Sequence, residues 1–321
     1  MWDLLARREF VSCGFSDDKE GQSKAVEVYK EGLARTHDKP TMYTLYIAFL
    51  YEQADLAAVK DVCRRSYQDK KKKGVTQVDV YVMWVNAALR TRKAVEKKGY
   101  EGSLRDPLVI MRCACEEHPS SVEVWAWRVR VVKTLMKEKH GGDVVQVLAA
   151  MTELYEQALK QVSKATGVWV DYLSCLLAAE KLGECDDVFA CALLALPCSS
   201  ERDTMIVQHC TDAYSTSIPA GRSVLRALKT HRVSMACAQL QRCIRLEVAC
   251  LSSDRDFVVE MYEFAVSLNP VSAGPWLSYL GALYSYKRFD LAAKIHARAG
   301  RAVGDVGEFE ASSTQLIKSL S

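Results

Sequence analysis

Between Val168 and Pro197 the chain reads VWVDYLSCLLAAEKLGECDDVFACALLALP: two apolar runs, a polar break and a proline. In the first run Trp169, Tyr172, Leu173 and Leu176 fall at helical spacing, and Leu177 and Ala178 widen the face. In the second, Val188, Phe189, Ala192, Leu193 and Leu196 share one side. The break EKLGECDD contains Gly183 and several acids, which predicts a tight helix-to-helix turn with Asp186 or Asp187 as the next N-cap. Pro197 cannot continue a helix and marks the exit. The expected unit is an antiparallel helix pair.

The same pair recurs. Aromatic-led first helices appear as MYTLYIAFLYE, VYVMWVNAALR, VEVWAWRVRVV, VWVDYLSCLL and GPWLSYLGALY, led by Tyr43, Trp84, Trp125, Trp169 and Trp276. Tyr46, Tyr172 and Tyr279 follow three residues after their leaders. The long gap before Trp276 holds two weaker copies, TMIVQHCTDAY and MACAQLQRCIRLEVA, in which Ile206 and Leu240 take the aromatic's place. Second helices such as MTELYEQALKQV and FVVEMYEFAVSLNP lie between them, and Pro40, Pro119, Pro197 and Pro270 fall between units. A lone helix pair leaves one apolar face in water, and stacking the next pair covers it, so the pattern predicts an all-α solenoid of stacked antiparallel helix pairs. Two-residue alternation is rare, and the periodic segments are too long for strands. The expected organisation is a single array over 1–321. Residues 1–40 form a partial first unit, 41–303 about seven repeats, and 304–321 a capping helix.

Composition changes this picture little. The chain has 321 residues, 49% hydrophobic and 26% charged, which is ordinary for a folded protein. The net charge of +3 is unevenly spread: residues 1–140 carry a net +6 and the remainder −3. No run is long and apolar enough for a membrane span, and the first residues, MWDLLARREF, lack the order of a secretory signal. The twelve cysteines sit within helical patterns and form no C-x-x-C pair, so buried free thiols in a reducing compartment are expected.

Candidate chemistry is sparse. The six histidines form no H-x-x-H pair; Cys113, Cys115 and His118 cluster but fall short of a zinc set. No phosphate-binding glycine loop occurs. No catalytic residue, metal, cofactor or small-molecule substrate is therefore expected. Two basic segments stand out, Lys70, Lys71, Lys72 and Lys73 in one unit and Arg92, Lys93, Lys97 and Lys98 in the next. Stacked repeats would bring them to one edge. That edge would track a phosphate backbone, face an acidic protein segment, or simply be solvated. Trp127, two residues after Trp125, cannot share its helical face and is a second candidate contact, with packing against a neighbouring unit as the alternative.

An aromatic followed three residues later by another, as in Trp169 with Tyr172 and Trp276 with Tyr279, resembles the half-a-TPR (HAT) repeat. Second helices like MYEFAVSLNP and LYEQALKQV resemble that family too, over about 280 residues from Met42 onward. The resemblance implies a TPR-like superhelix that works as a non-catalytic scaffold in a eukaryotic RNA-processing complex. MYTLYIAFLYEQ, VYVMWVNAALR and the ending PWLSYL…AAKIHARAGRAV are most similar to the HAT subunits of the nucleolar small-subunit processome. Those begin with an N-terminal docking region, whereas residues 1–40 here read as a partial unit. The expected function is thus contact between protein subunits in ribosomal-RNA maturation, located in the nucleus and nucleolus. The alternatives are a HAT subunit of a splicing or messenger-RNA 3′-end complex, or weak direct RNA contact through the basic end.

Overall fold

The structure, a computed structural model, describes residues 1–12, 18–53, 55–71, 77–97, 107–250 and 254–320. Among them are seventeen α-helices and no strand. The chain divides into two compact units, Met1–Glu138 and Lys139–Ser321. The first holds α1 (Trp2–Ser12), α2 (Asp18–Arg35), α3 (Lys39–Glu52), α4 (Leu56–Lys71), α5 (Gln77–Lys97), α6 (Pro107–Glu117) and α7 (Val122–Lys139), whose last residue crosses the boundary. The second begins with α8 (Val144–Gln161), α9 (Thr166–Ala178), α10 (Leu182–Ala195), α11 (Ser200–Thr216) and α12 (Ile218–Thr230). It continues with α13 (Cys237–Val248), α14 (Arg255–Leu268), α15 (Ala273–Ser285), α16 (Phe289–Ala302) and α17 (Val306–Leu320).

Each unit is a stack of helix pairs. In the first, α1 packs on α2, α3 on α4 and α5 on α6, and α3 also packs on α5. In the second, the pairs are α9–α10, α11–α12, α13–α14 and α15–α16. There the odd-numbered helices form one row, α9 on α11, α11 on α13, α13 on α15 and α15 on α17. The even-numbered α10, α12 and α14 form another. Residues 1–40, expected as a partial unit, hold the pair α1–α2.

The turn between α9 and α10 differs from the sequence expectation. Gly183 lies inside α10, which starts at Leu182, and neither Asp186 nor Asp187 caps it. Glu180 supplies the left-handed residue instead, at φ 57°. The Lys181 N–H donates to the Leu176 carbonyl at 3.0 Å and closes the helix end. The α15–α16 turn repeats this with Lys287 at φ 59° and Arg288 N–H to Leu283 O at 3.0 Å. Because α10 starts at Leu182, Asp186 falls a turn too late to cap, and it accepts from the Ser223 hydroxyl on α12 at 2.7 Å.

The joint between successive pairs recurs in atomic detail. Tyr155 on α8 stacks on Tyr172 of α9, centroids 4.5 Å apart and planes 12° from parallel. Tyr262 on α14 stacks on Tyr279 of α15 at 5.4 Å and 11°, and Tyr29 on α2 on Tyr46 of α3 at 4.9 Å and 11°. In each case the partner lies 17 residues on, with Trp169, Trp276 or Tyr43 three residues before it. The indole N–H of Trp169 donates to Ser163 O at 2.8 Å, that of Trp276 to Pro270 O at 2.8 Å, and that of Trp125 to Pro119 O at 2.7 Å. A carbonyl of the connection between two helices is thereby satisfied by the aromatic that anchors the second. Trp84 donates to the Tyr51 hydroxyl instead. All eight residues expected in the repeat core are buried: Tyr43, Tyr46, Trp84, Trp125, Trp169, Tyr172, Trp276 and Tyr279.

The first weak copy sits in a different register from the one the sequence suggested, whereas Leu240 of the second is the fourth residue of α13, as Trp169 and Trp276 are of α9 and α15. Counting 34 residues from Tyr155, Trp169 and Tyr172 gives Phe189, Asp203 and Ile206. Asp203, not Ile206, holds the tryptophan's place, six residues after Pro197 as Trp125 follows Pro119. It is buried and accepts the Ala236 N–H at 2.8 Å, while the Arg202 guanidinium donates to Ser234 O. Polar side chains thus tie α11 to the segment before α13 where an indole would otherwise pack. Glu247 on α13 completes this polar region. Wholly buried, it accepts from Tyr214 at 2.8 Å, Arg222 at 2.8 Å and the Asp254 N–H at 3.0 Å. Burial works to raise its pKa, but Arg222, the Asp254 N–H and Tyr214 outweigh burial and hold it below the usual carboxylate value.

His209 packs at 4.7 Å from Phe189, and burial pushes its imidazole down to about 4. The folded value lies below the unfolded one. Its stabilisation is therefore complete above the unfolded value of about 6.5 and lost as pH falls toward 4, by up to about 3 kcal/mol. Urea unfolding of His209→Leu should show a shallower loss of stability between pH 6.5 and 4 than the parent; an unchanged slope would remove His209 as the cause.

Trp169→Ala should cost about 3–5 kcal/mol, and Trp169→Phe about 1 kcal/mol for the orphaned Ser163 carbonyl. Hydrogen exchange should rise in α8–α11 for the first, and in α14–α17 for Trp276→Ala, because repeat stability is local plus nearest-neighbour. Uniform loss of protection across Lys139–Ser321 in both would mean one undivided cooperative core.

Candidate interaction surface

The trough between α9 and α11 is a cavity of about 610 Å³. Its α9 wall is Thr166, Gly167, Val170, Asp171 and Ser174. Its α11 wall is the residue 34 further on in each case: Ser200, Glu201, Thr204, Met205 and Gln208. The i, i+4, i+8 spacing places each set on one helical face turned to the neighbour. Eight residues of helix give the trough a length of about 12 Å. The opposite face of α9 carries Trp169, Tyr172 and Leu176 into the core, so the joint that stacks the pairs also turns these polar positions outward.

The trough is polar above and apolar below. Met205 is buried and Val170 half-buried, while Ser200, Glu201, Thr204 and Gln208 are exposed. Two carboxylates line it, and no lysine, arginine or histidine does. Asp171 is held from beneath: the Tyr155 hydroxyl donates to its Oδ2 at 2.5 Å. Burial, with the Asp171 charge next, raises the Tyr155 pKa, so the phenol stays a donor. Glu201 sits in the first turn of α11, where the helix dipole favours a negative charge. Gly167 presents bare backbone, and a Cβ built there would meet no atom within 4 Å.

Enzyme-like arrangements are weak elsewhere. Cys185 approaches His209 Nε2 at 4.0 Å, but burial pushes the thiol up to about 12 and the ring down to about 4. Both stay neutral, which is a packing contact and not a thiolate–imidazolium pair. The described cysteines are all free. Cys113 is half-buried, Cys115 is buried, and His118 lies edge-on to Tyr81 at 6.3 Å. Among the described residues no three ligating side chains gather for a metal, and no helix is long and apolar enough to cross a membrane.

Of the sequence candidates for binding, only Trp127 is described with its side chain. Lys72, Lys73 and Lys98 lie outside the described residues. So do the side chains of Lys70 and Lys71 at the end of α4, and of Arg92, Lys93 and Lys97 on α5. Trp127 is half-buried on α7, with the exposed Arg130 guanidinium 4.8 Å from its ring centroid. Trp127 is not among the residues that line the trough. The trough was missed because its residues form no motif along the chain, and only the 34-residue shift between the two helices marks them.

Comparison with known proteins places the likeness. The family model described as the pre-mRNA-splicing factor Syf1/CNRKL1 N-terminal HAT repeat matches residues 84–206, less than half of the chain, and spans α9 and the first turns of α11. No curated protein sequence matches. Similar solved structures include a tetratricopeptide repeat protein from Parabacteroides merdae, at 10% identity, 90% of this chain, 98% of that one and TM-score 0.32. Pseudomonas aeruginosa PilF aligns at 17% identity over 75% of this chain and 97% of its own, TM-score 0.30. Yeast Tom70 aligns at 11% over 94% of this chain and 59% of its own, TM-score 0.30. The fold is all-α, built of stacked helix pairs of the TPR/HAT kind. The expected likeness to the processome's HAT subunit, U-three small nucleolar RNA-associated protein six, is overturned, because the family model that matches is that of a splicing-factor HAT repeat.

Proposed function

We propose that this protein is a non-catalytic HAT-type scaffold that holds protein subunits together in a nuclear pre-mRNA splicing complex. The observation that carries the reading is the match of residues 84–206 to a splicing-factor HAT repeat. The architecture supports it: a stack of pairs leaves one face of each odd-numbered helix in the second unit turned outward, as a long surface with few reactive groups.

Affinity purification of the tagged full chain from nuclear extract, at moderate salt and with nuclease, tests this. Splicing proteins should be recovered, and nuclease should not release them if the contacts are between proteins. Recovery of pre-ribosomal or 3′-end factors instead, or of neither group, would overturn the proposal, as would exclusion of the protein from the nucleus.

A further inference from the structure

We infer that Ser234 is a phosphorylation site, and that a phosphate there is stabilised by the buried Arg202 guanidinium and strengthens the joint between α11 and α13. The inference concerns a covalent modification of the chain and holds whichever complex the scaffold serves.

The Ser234 carbonyl occupies a recurring place. It lies six residues before Leu240, as Ser163 lies six before Trp169 and Pro270 six before Trp276. In those two joints the carbonyl accepts an indole N–H, and a leucine has none to give. Arg202, in the first turn of α11, provides the donor instead and reaches the Ser234 carbonyl with its guanidinium. The replacement brings a charge with it. Arg202 is 5% exposed, its Nε has no partner, and among the described residues no ion pair joins it to a carboxylate. The adjacent Asp203 has its Oδ2 on the Ala236 N–H at 2.8 Å. Buried cations are ordinarily paired, so a negative group on Ser234 answers a charge already fixed beneath it.

The segment also presents its hydroxyl to solvent. Residues 231–236, between α12 and α13, are the longest of the fully described connections. Arg232 takes the left-handed conformation at φ 46°, and the Val233 N–H donates to the Leu228 carbonyl at 3.0 Å. Val233 is buried and anchors the turn, while Arg232, Ser234 and Ala236 are exposed. Arg232 stands two residues before Ser234, a cation placed for the acidic cleft of a basophilic serine kinase. The phosphoryl group comes from ATP. A bond forms between Ser234 Oγ and the γ-phosphorus, the bond from that phosphorus to the β–γ bridging oxygen breaks, ADP leaves, and the hydroxyl proton passes to the kinase's base. The product carries a charge of about −1.5 to −2 and three acceptor oxygens. It lies two residues before Ala236, the N-cap of α13, which makes no side-chain cap bond, so the positive end of that helix adds to Arg202 and Arg232.

The test has two arms, both on the full chain. In the first, the protein is incubated with MgATP and the catalytic fragment of protein kinase C, a basophilic serine kinase, and the modified residues are read by tandem mass spectrometry. Ser234 should carry phosphate, and Arg232→Ala should lower its occupancy roughly fivefold or more. In the second, phosphoserine is placed at position 234 during translation by amber suppression. The product should melt about 2–4 °C above the parent, with slower amide exchange in α11 and the first turn of α13. Arg202→Gln keeps an N–H for the Ser234 carbonyl and removes the charge, so the gain should vanish in that background. Phosphorus NMR of the phosphoserine protein reads the same contact without the variant: the second phosphate pKa should fall below its usual value of about 6. Absence of phosphate on Ser234, an unchanged melting temperature, a gain that persists in Arg202→Gln, or a second pKa of about 6 or above would each overturn the inference. So would a lowered melting temperature, which would mean that Asp203 repels the phosphate more than Arg202 attracts it.

Discussion

The rest of the structure depends on how one helix pair is fastened to the next. A helix end exposes carbonyls, and a solenoid has a buried helix end at every joint. Just past the helix end, a carbonyl of the connection accepts the indole N–H of the tryptophan six residues on, in three separate joints. The ring that carries the N–H also fills the space between pairs. One side chain thus covers apolar surface and removes an unmet polar group, and either failure alone would cost about 1–3 kcal/mol. The stacked tyrosines fix the second coordinate. With their rings nearly parallel in three joints, they set how far the following helix slides along its neighbour.

Between α11 and α14 the same task is done with other chemistry. Asp203 replaces the indole and turns the direction of donation around, accepting an N–H from the following connection where the tryptophan gives one to the preceding carbonyl. Glu247 then gathers Tyr214, Arg222 and the start of α14. Buried charge of this kind is costly unless every lone pair is used, and here it is met by several donors. The polar joint fixes geometry as the aromatic one does, with donors that hold the Glu247 carboxylate below its usual pKa.

These joints also create the surface. Because α9 and α11 each turn an aromatic or apolar face inward, both present the opposite face, and neighbouring pairs align those faces with a shift of 34 residues. The trough is the space left between two helices held in register by residues on their far sides. A scaffold built this way needs no reactive group. Asp171 and Glu201 are the two charged side chains in this trough.

The helix pairs were legible along the chain because an amphipathic helix writes its buried face at a fixed spacing, and Trp169, Tyr172 and Leu176 needed no partner to declare themselves. The stacking of pairs followed from that, since each leaves a face to cover. The register of the first weak copy was not legible by hydrophobicity: Asp203 at an indole's position looks like a surface acid until the Ala236 N–H is seen against it. The α9–α10 turn misled for a related reason. Gly183 looks like the turn residue, but Glu180 takes the left-handed conformation because the closing hydrogen bond to Leu176 falls there. The trough lay beyond reach, since Thr166, Gly167 and Ser174 carry no pattern of their own and become a wall only opposite Ser200, Glu201 and Gln208. Local periodicity is a property of one helix and is therefore written in its residues. Register and facing surfaces are properties of two helices, and hydrogen bonds distant in the chain decided them.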